Sequence, residues 1–135
     1  MKNINDVCVV VQARLGSTRV PGKMLKPFCG TTLTDILFDK LIFSTKIPRE
    51  NIYFSAHEQE LKDVAKKYKI NIFNRSLQSA NSEGEPLSEI YEWHDKLPYK
   101  YVVLISACNP LLKVGTIDSF FESYLQSKND GQFAV

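Results

Sequence analysis

Residues 7–23 read VCVVVQARLGSTRVPGK, and this stretch decides the fold class. It begins with Val7–Gln12, a continuous apolar run that predicts a parallel strand buried on both faces. It then enters a loop, Ala13–Gly30, that is rich in glycine and proline. A buried strand followed by such a loop is typical of α/β domains, which bind ligands at the carboxyl ends of their strands.

The rest of the chain alternates between the hydrophobic periods of strands and helices. Further strands are predicted at Ile52–Ser55, Ile70–Phe73 and Tyr101–Ile105, and another is predicted to begin within Gln132–Val135. Helices are predicted at Thr32–Lys46, Glu58–Tyr68 and Thr116–Gln126, and after Pro86 along a stripe formed by Leu87, Ile90, Tyr91 and His94. The segments Asn74–Glu85 and Ser106–Lys113 are predicted loops. This pattern predicts a three-layer α/β/α fold with a mostly parallel sheet, in a single domain covering residues 1–135.

Composition and charge exclude several classes of protein. The 135 residues are 44% hydrophobic and carry a formal net charge of +2, which is too small to indicate a nucleic-acid or membrane surface. No apolar run approaches the roughly 20 residues of a membrane-spanning helix, and no signal-peptide pattern is present. Cys8, Cys29 and Cys108 are widely spaced without a CxxC pair, so neither a disulfide framework nor a zinc site is indicated. We therefore expect a cytoplasmic protein.

The loop after the first strand concentrates positive charge. Residues 7–34 contain no carboxylate but four cations, Arg14, Arg19, Lys23 and Lys26. Gly16 and Gly22 permit a positive φ and a close approach to a ligand, and successive amides in such a turn bind phosphate oxygens. We therefore expect an anion site that Arg14 and Lys23 close from the two ends of the loop. A solvated basic loop would show the same spacing, and this alternative stays open on spacing alone.

Two common phosphate-binding motifs do not fit this loop. A Walker A motif needs four residues between its glycines and a hydroxyl after the lysine. Here Gly16 and Gly22 enclose five residues, and Met24 stands in the place of the hydroxyl. The dinucleotide fingerprint G-x-G-x-x-G is also absent.

Residues 11–23, VQARLGSTRVPGK, closely resemble the opening of the cytidylyltransferase family, in which a strand is followed by A-R-x-G-S-x-R-x-P-G-K. This family includes the acylneuraminate and 3-deoxy-manno-octulosonate cytidylyltransferases and the spore-coat polysaccharide biosynthesis proteins. The Gly-Ser-Thr-Arg form is most similar to the spore-coat branch. The resemblance implies a Rossmann-like nucleotidyltransferase that transfers CMP from CTP to an acidic sugar such as sialic acid, in cell-surface polysaccharide synthesis.

The resemblance also implies roles for individual residues. Arg14 and Lys23 are the catalytic candidates, since they would contact the triphosphate and stabilise the leaving pyrophosphate. The nucleotide-binding candidates are Ala13, Leu15, Gly16, Ser17, Arg19, Gly22, Arg75, Ser106 and Asn109. Of these, Ala13 and Leu15 would lie near the cytosine, and Ser17 near the triphosphate.

Two later loops complete the implied nucleotide site. Arg75 follows the third strand and matches the family's middle arginine, although a surface arginine would occupy the same place. Ser106 and Asn109 lie in the loop SACNPL, which matches the family's fourth loop, and they would bond the base or the ribose. On composition alone, Asn109-Pro110 is equally well explained as the start of a turn.

The chain departs from the family pattern at the metal site. Mg²⁺ is expected by resemblance, because transfer from a triphosphate normally uses Mg²⁺ held by carboxylates. Cys108 stands where some relatives place an aspartate, and a thiol is a poor ligand for this cation. The acidic residues of the strand-end loops, Glu58, Glu83 and Glu85, lie in no recognised ligand motif. Metal ligands are therefore not identified in this chain.

The chain also ends early relative to the family, inside a predicted strand. We therefore expect a C-terminally truncated protein that is inactive alone, with a homodimer or a complementing C-terminal half as possible partners beside CTP and the sugar. Two rival functions remain. The first is a nucleotide- or phosphate-binding module without catalytic activity, or half of a split enzyme. The second is a nucleotidyltransferase that uses another nucleotide.

Overall fold

The computed structural model describes residues 1–81 and 83–134. Within them, four parallel strands form one sheet in the order β3-β2-β1-β4, with β1 at Val7–Gln12, β2 at Ile52–Ala56, β3 at Asn71–Asn74 and β4 at Tyr101–Ile105. The helices are α1 at Leu33–Phe43, α2 at Gln59–Lys67, α3 at Leu77–Asn81, α4 at Leu87–Ile90 and α5 at Val114–Gln126. Short 3₁₀ turns occupy Ile4–Asp6, Arg49–Asn51 and Glu92–Asp95. The predicted α/β class with a parallel sheet is confirmed.

The two faces of the sheet are covered by different layers. Side chains of successive strand residues point to opposite faces. Those of Val7, Val9 and Val11 pack with α1, α2 and α5 in the larger core cluster. On the other face, Cys8 and Val10 pack with Trp93 and neighbouring aromatic residues in a smaller cluster. The second layer is thus made of shorter segments than the first.

The order of the strands creates a reversal beside β1. The chain moves outward from β1 through β2 to β3, and it then returns to place β4 on the opposite side of β1. The register pairs Val9 with Ile52 on one side and Val7 with Tyr101 on the other. In open parallel sheets, ligands bind outside the carboxyl ends of the strands at such a reversal. The loops that follow β1 and β4 therefore meet at the expected ligand edge.

The first helix is shorter than the predicted Thr32–Lys46. Thr32 is its N-cap, since its hydroxyl oxygen accepts a hydrogen bond from the Asp35 N–H at 3.1 Å. Ser44 leaves the helical conformation at the other end, with φ −59° and ψ 133°. The Ser44 hydroxyl then accepts from the Ile47 N–H at 3.1 Å, which turns the chain towards β2.

The continuous helix predicted after Pro86 is wrong. Tyr91, with φ −105° and ψ 45°, ends α4 after one turn, and a 3₁₀ turn follows. This break places Trp93 against the sheet, where its indole N–H donates to Gln12 Oε1 at 2.8 Å. His94, which the predicted stripe turned inward, is exposed.

Two further segments differ from their predictions. The predicted loop Asn74–Glu85 contains α3. At the start of this helix, the Ser79 N–H donates to Ser76 Oγ at 3.1 Å. Ser82 lies outside the described residues. The strand predicted to begin at Gln132 does not form in residues 132–134, and Val135 lies outside the described residues. The Gln132 side chain donates instead to the Phe120 carbonyl of α5, at 3.3 Å. Within the described ranges, no helix combines the length and the apolar character needed to cross a bilayer.

Candidate functional site

A cleft of about 510 Å³ lies at the reversal between β1 and β4. Its volume is in the range of small-molecule binding sites, roughly 300–1,000 Å³. It brings together most of the residues predicted from the sequence, namely Ala13, Arg14, Ser17, Arg19, Lys23, Arg75 and Ser106. The predicted residues Leu15, Gly16, Gly22 and Asn109 are not part of its wall. The wall also contains residues that the sequence did not indicate as ligands, among them Thr18, Tyr91 and Cys108.

The charge of the cleft is strongly one-sided. Four cationic side chains line it, Arg14, Arg19, Lys23 and Arg75, and no carboxylate is among its described lining residues. In the described part of the chain, the six ion pairs involve none of these cations. Because clefts with charges of one sign raise the local concentration of counter-ions, this site favours a polyanionic ligand.

The loop after β1 closes on itself through its own backbone. Gly22 has a φ of 66°, in the left-handed region that favours glycine, and its N–H donates to the Leu15 carbonyl at 3.2 Å. The Val20 N–H donates to Ser17 Oγ at 3.3 Å within the same turn. The positive φ expected of Gly22 is confirmed. The positive φ expected of Gly16 is wrong, because the φ of Gly16 lies outside the left-handed region. A Cβ added at this position would meet no other atom of the described residues within 4 Å.

The two catalytic candidates both reach the cleft, and their surroundings differ. Arg14 is partly exposed, and its Nη1 donates to the Asn81 carbonyl at 3.2 Å. Lys23 is partly buried, and its N–H donates to the Val20 carbonyl at 3.2 Å. They lie on either side of the closed turn, at the two ends of the predicted anion site.

Arg75 is a buried arginine that braces the start of the loop. Only 4% of it is exposed, which contradicts the alternative of a surface arginine. Its guanidinium donates to the Ala13 carbonyl at 3.1 Å and to the carbonyl and hydroxyl oxygens of Ser79 at 2.7 and 2.9 Å. Burial lowers the pKa of Arg75, and the nearby Arg14 lowers it further, whereas Glu58 opposes this. The side chain therefore forms part of the wall of the cleft and fixes a loop carbonyl at the same time.

The loop after β4 contributes less to the cleft than the sequence predicts. Ser106 is exposed at the wall, and its Oγ accepts from the Cys108 N–H at 3.1 Å. Asn109 lies instead beside a more apolar groove of about 270 Å³ against α5. Its carbonyl and that of Pro110 accept from Lys40 Nζ at 3.4 and 2.6 Å, and burial lowers the pKa of Lys40. Ser106 also lines this groove, so it borders both cavities, whereas Asn109 borders the groove alone.

The residues of the cleft do not fit a Mg²⁺ site. Within residues 1–81 and 83–134, no group of three or more His, Cys, Asp or Glu side chains lies close enough together to hold a metal. Cys108, which lines the cleft, offers sulfur rather than the oxygen ligands that Mg²⁺ prefers.

The contact between Glu58 and the cationic loop is one that the sequence does not reveal. Glu58 stands at the N-cap of α2, and its Oε1 accepts from the Leu15 N–H in the cationic loop at 3.0 Å. The two residues are 43 positions apart, so no local motif could have shown the contact. Its position just after a buried strand was the available signal, since the carboxyl ends of parallel strands lie at one edge of the sheet.

A closed cationic turn at the reversal of a parallel α/β sheet defines a Rossmann-like domain with a cationic cleft at the carboxyl ends of its strands. The chain belongs to the cytidylyltransferase family, whose model matches residues 8–134. The resemblance seen in residues 11–23 is thereby confirmed.

Individual relatives agree with this assignment. The spore coat polysaccharide biosynthesis protein SpsF of Bacillus subtilis (strain 168) is 25% identical over 129 residues, which cover 94% of this chain and 53% of that protein. The 3-deoxy-manno-octulosonate cytidylyltransferase 2 of Hydrogenovibrio crunogenus is 26% identical, over 94% of this chain and 50% of that protein. The chain therefore spans about half the length of these relatives.

A solved structure shows the same fold. The CMP:2-keto-3-deoxy-manno-octonic acid synthetase complexed with CTP superposes with a TM-score of 0.69, over 87% of this chain and 46% of that one. At 13% identity, this similarity concerns the fold.

Proposed function

We propose that residues 1–135 form the nucleotide-binding domain of a CTP-dependent sugar cytidylyltransferase that works in the cytoplasm on cell-surface polysaccharide precursors. The observation that carries the proposal is the cleft at the β1–β4 reversal, whose four cationic side chains face no carboxylate among its described lining residues. Membership of the cytidylyltransferase family supports CTP as the nucleotide. The relative named for 3-deoxy-manno-octulosonate supports an acidic sugar as the acceptor, and the relative named for spore coat polysaccharide supports a role in polysaccharide synthesis.

The proposed reaction is the displacement of pyrophosphate from CTP. An oxygen of the sugar's anomeric hydroxyl attacks the α-phosphorus and forms the new P–O bond. The bond from the α-phosphorus to the oxygen that bridges to the β-phosphate breaks, pyrophosphate leaves, and the hydroxyl proton passes to solvent. In this proposal Arg14 and Lys23, which both line the cleft, stabilise the charge that builds up on the leaving oxygens. Ala13, Ser17, Arg19 and Ser106 line the remaining nucleotide subsites in this proposal.

A second candidate function is a nucleotide-binding module that performs no transfer, or that performs it only with a complementing half or a second copy. The absence of carboxylates among the described lining residues of the cleft favours this candidate, because Mg²⁺-dependent transfer normally relies on oxygen ligands. Both candidates require CTP binding, and they differ in turnover.

Binding and turnover separate the proposals. In a thermal-shift and calorimetric panel, we expect CTP to bind more tightly than ATP, GTP or UTP. Preference for a purine nucleotide would contradict the choice of base, and no binding of any nucleotide would contradict the assignment of the cleft. Pyrophosphate release would then be measured with CTP, Mg²⁺ and a panel of acidic sugars. Turnover at about 1 s⁻¹ or faster, in the ordinary range of enzymes, would exclude the module without transfer.

A further inference from the structure

A carboxylate contacts the backbone of the cationic loop from the neighbouring strand end. Glu58 follows β2 at the N-cap position of α2, and its Oε1 accepts from the Leu15 N–H at 3.0 Å instead of from the helix. It lies outside the wall of the main cleft, in a second cleft that Arg14, Gly16 and Thr18 also line. The carboxylate is therefore close to the proposed phosphate site without forming part of it.

This position is electrostatically unfavourable for a site that binds phosphate. A carboxylate repels a triphosphate, and its repulsion is strong where the surroundings exclude water. The Oε2 atom of Glu58 is also buried, without a hydrogen-bond partner among residues 1–81 and 83–134, and such burial costs stability. Glu58 therefore needs a function that outweighs these two unfavourable contributions. The hydrogen bond that it accepts from the Leu15 N–H provides such a function.

The two peptide units on either side of Arg14 are both fixed by side chains. Arg75 donates to the carbonyl of Ala13, which belongs to the peptide before Arg14. Glu58 accepts from the N–H of Leu15, which belongs to the peptide after Arg14. Since two fixed peptide units define the φ and ψ of the residue between them, the direction in which the Arg14 side chain leaves the backbone is set from both sides.

We propose that Glu58 is a positioning residue that aims Arg14 at the phosphates of the nucleotide by fixing the Leu15 amide. The inference rests on the proposed function, because it needs an anionic ligand in the cleft. Glu58 acts through Arg14 and touches no reacting atom. The effect of Glu58 on CTP binding depends on its acceptor oxygen for the Leu15 N–H and not on its negative charge.

Substitutions at position 58 separate the acceptor from the charge. Glu58→Gln keeps an oxygen for the Leu15 N–H and removes the charge, Glu58→Asp keeps the charge with a shorter reach, and Glu58→Ala removes both. Glu60→Ala is the matched control, since Glu60 is an exposed carboxylate in the first turn of α2. We expect Glu58→Ala to weaken CTP binding by about tenfold and Glu58→Asp by less, in line with the loss of one hydrogen bond. Glu58→Gln stays within about threefold of the wild type or binds more tightly, and Glu60→Ala has no effect.

A double-mutant cycle tests the action through Arg14. In an Arg14→Ala background, Glu58→Ala is expected to cause no further loss of CTP affinity, because the side chain that it positions is gone. Hydrogen exchange at the Leu15 amide gives a readout without nucleotide: exchange is faster in Glu58→Ala than in the wild type or Glu58→Gln. If Glu58→Ala does not fold, Glu58→Asp and Glu58→Gln carry the same comparison.

Several results would overturn the inference. Tighter CTP binding by Glu58→Ala would show that the carboxylate competes with phosphate for the Leu15 amide. Losses that add in the double mutant would show that Glu58 does not act through Arg14. Lower thermal stability with unchanged affinity would leave Glu58 with a structural role alone. If the wild type binds another nucleotide in place of CTP, the proposed base is wrong, and the same variants test Glu58 with that nucleotide. Binding of neither nucleotides nor pyrophosphate would overturn both proposals.

Discussion

The two loops that meet at the cleft are built in opposite ways. Three side chains from neighbouring segments form hydrogen bonds with the backbone of the loop after β1. Arg75 donates to the Ala13 carbonyl, and Glu58 accepts from the Leu15 N–H. The Thr34 hydroxyl donates to the Met24 carbonyl at 2.8 Å. The loop after β4 is exposed at Ser106, Cys108 and Asn109, and Lys40 is the side chain from another element that bonds to it in the described part of the chain.

This difference shows which part of the site is organised before a ligand arrives. Donors that are already in place need no rearrangement when charge develops on a bound phosphate, and this favours catalysis. A loop that becomes ordered on binding loses conformational freedom, and the binding energy must offset that loss. We therefore propose that the braced β1 loop binds the phosphates and that the more exposed β4 loop contacts the nucleoside.

The largest expected effect concerns the bracing of the β1 loop. Arg75→Ala removes three hydrogen bonds from a buried guanidinium and leaves the Ala13 and Ser79 carbonyls without these donors. We expect the free energy of unfolding to fall by about 3 kcal/mol or more, since bonds to charged groups contribute roughly 1.5–3 kcal/mol each. Urea denaturation would measure it. The control is Arg14→Ala, which is expected to change stability by less than about 1 kcal/mol because Arg14 is partly exposed. Similar losses in both variants would show that the loop is not braced in this way.

The next effect concerns the phosphate contact. Lys23→Ala is expected to weaken CTP binding by about 1.5–3 kcal/mol, the contribution of one charge-assisted hydrogen bond. Lys26→Ala is the matched control, since Lys26 is an exposed cation of the same loop that does not line the cleft. Calorimetry at one ionic strength would compare them. Equal losses would mean that the general positive charge of the loop, and not the position of Lys23, attracts the nucleotide.

The same contrast explains how far the sequence could predict the molecule. The strands and the loop at residues 13–30 were predictable because continuous apolar runs and glycine-rich turns are local signals. Most candidates from the β1 loop do line the cleft, although their roles in binding stay predictions. The brace by Glu58 and the burial of Arg75 were not predictable, since each depends on residues far apart in the sequence. The break of the helix at Tyr91 was missed because the contact between Trp93 and Gln12 overrides the local helical pattern.

A smaller effect tests the β4 loop itself. The sequence suggested equal roles for Ser106 and Asn109, but only Ser106 lines the main cleft. Ser106→Ala is expected to weaken CTP binding by about 0.5–1.5 kcal/mol, the value of a neutral hydrogen bond, and Asn109→Ala by less than about 0.5 kcal/mol. Titration calorimetry of the two variants would measure the difference. A larger loss from Asn109→Ala would show that the loop rearranges on binding and would strengthen the contrast with the rigid β1 loop.

The smallest expected effect concerns the far end of the β1 loop, where α1 begins. Asp35 lies next to Thr34, and its carboxylate accepts from Thr32 Oγ1 at 2.6 Å, from Lys67 Nζ at 2.6 Å and from the Tyr68 hydroxyl at 2.9 Å. Burial tends to raise the pKa of Asp35, but these bonds and the charge of Lys67 outweigh it and hold the pKa below its ordinary value. Ionised Asp35 therefore stabilises the junction between α1 and α2.

The sign of the pH dependence follows from that lowered pKa. A carboxyl group whose pKa is lower in the folded state than in the unfolded state stabilises the fold fully above the unfolded value, about 3.9, and this stabilisation is lost as the pH falls through the folded value. Glu92 also has a lowered pKa, despite its burial, because the Ser76 N–H donates to it and Lys96 lies nearby, so it adds to the same slope. Urea denaturation of the wild type and Asp35→Asn between about pH 6 and about pH 3 isolates the Asp35 part. The difference is expected to stay below about 1 kcal/mol, since Lys67 is largely exposed and solvent screens the pair. Parallel slopes in the two proteins would show that Asp35 does not stabilise the start of α1 by its charge, and the anchorage of the loop would then rest on Thr34 and the buried Met24.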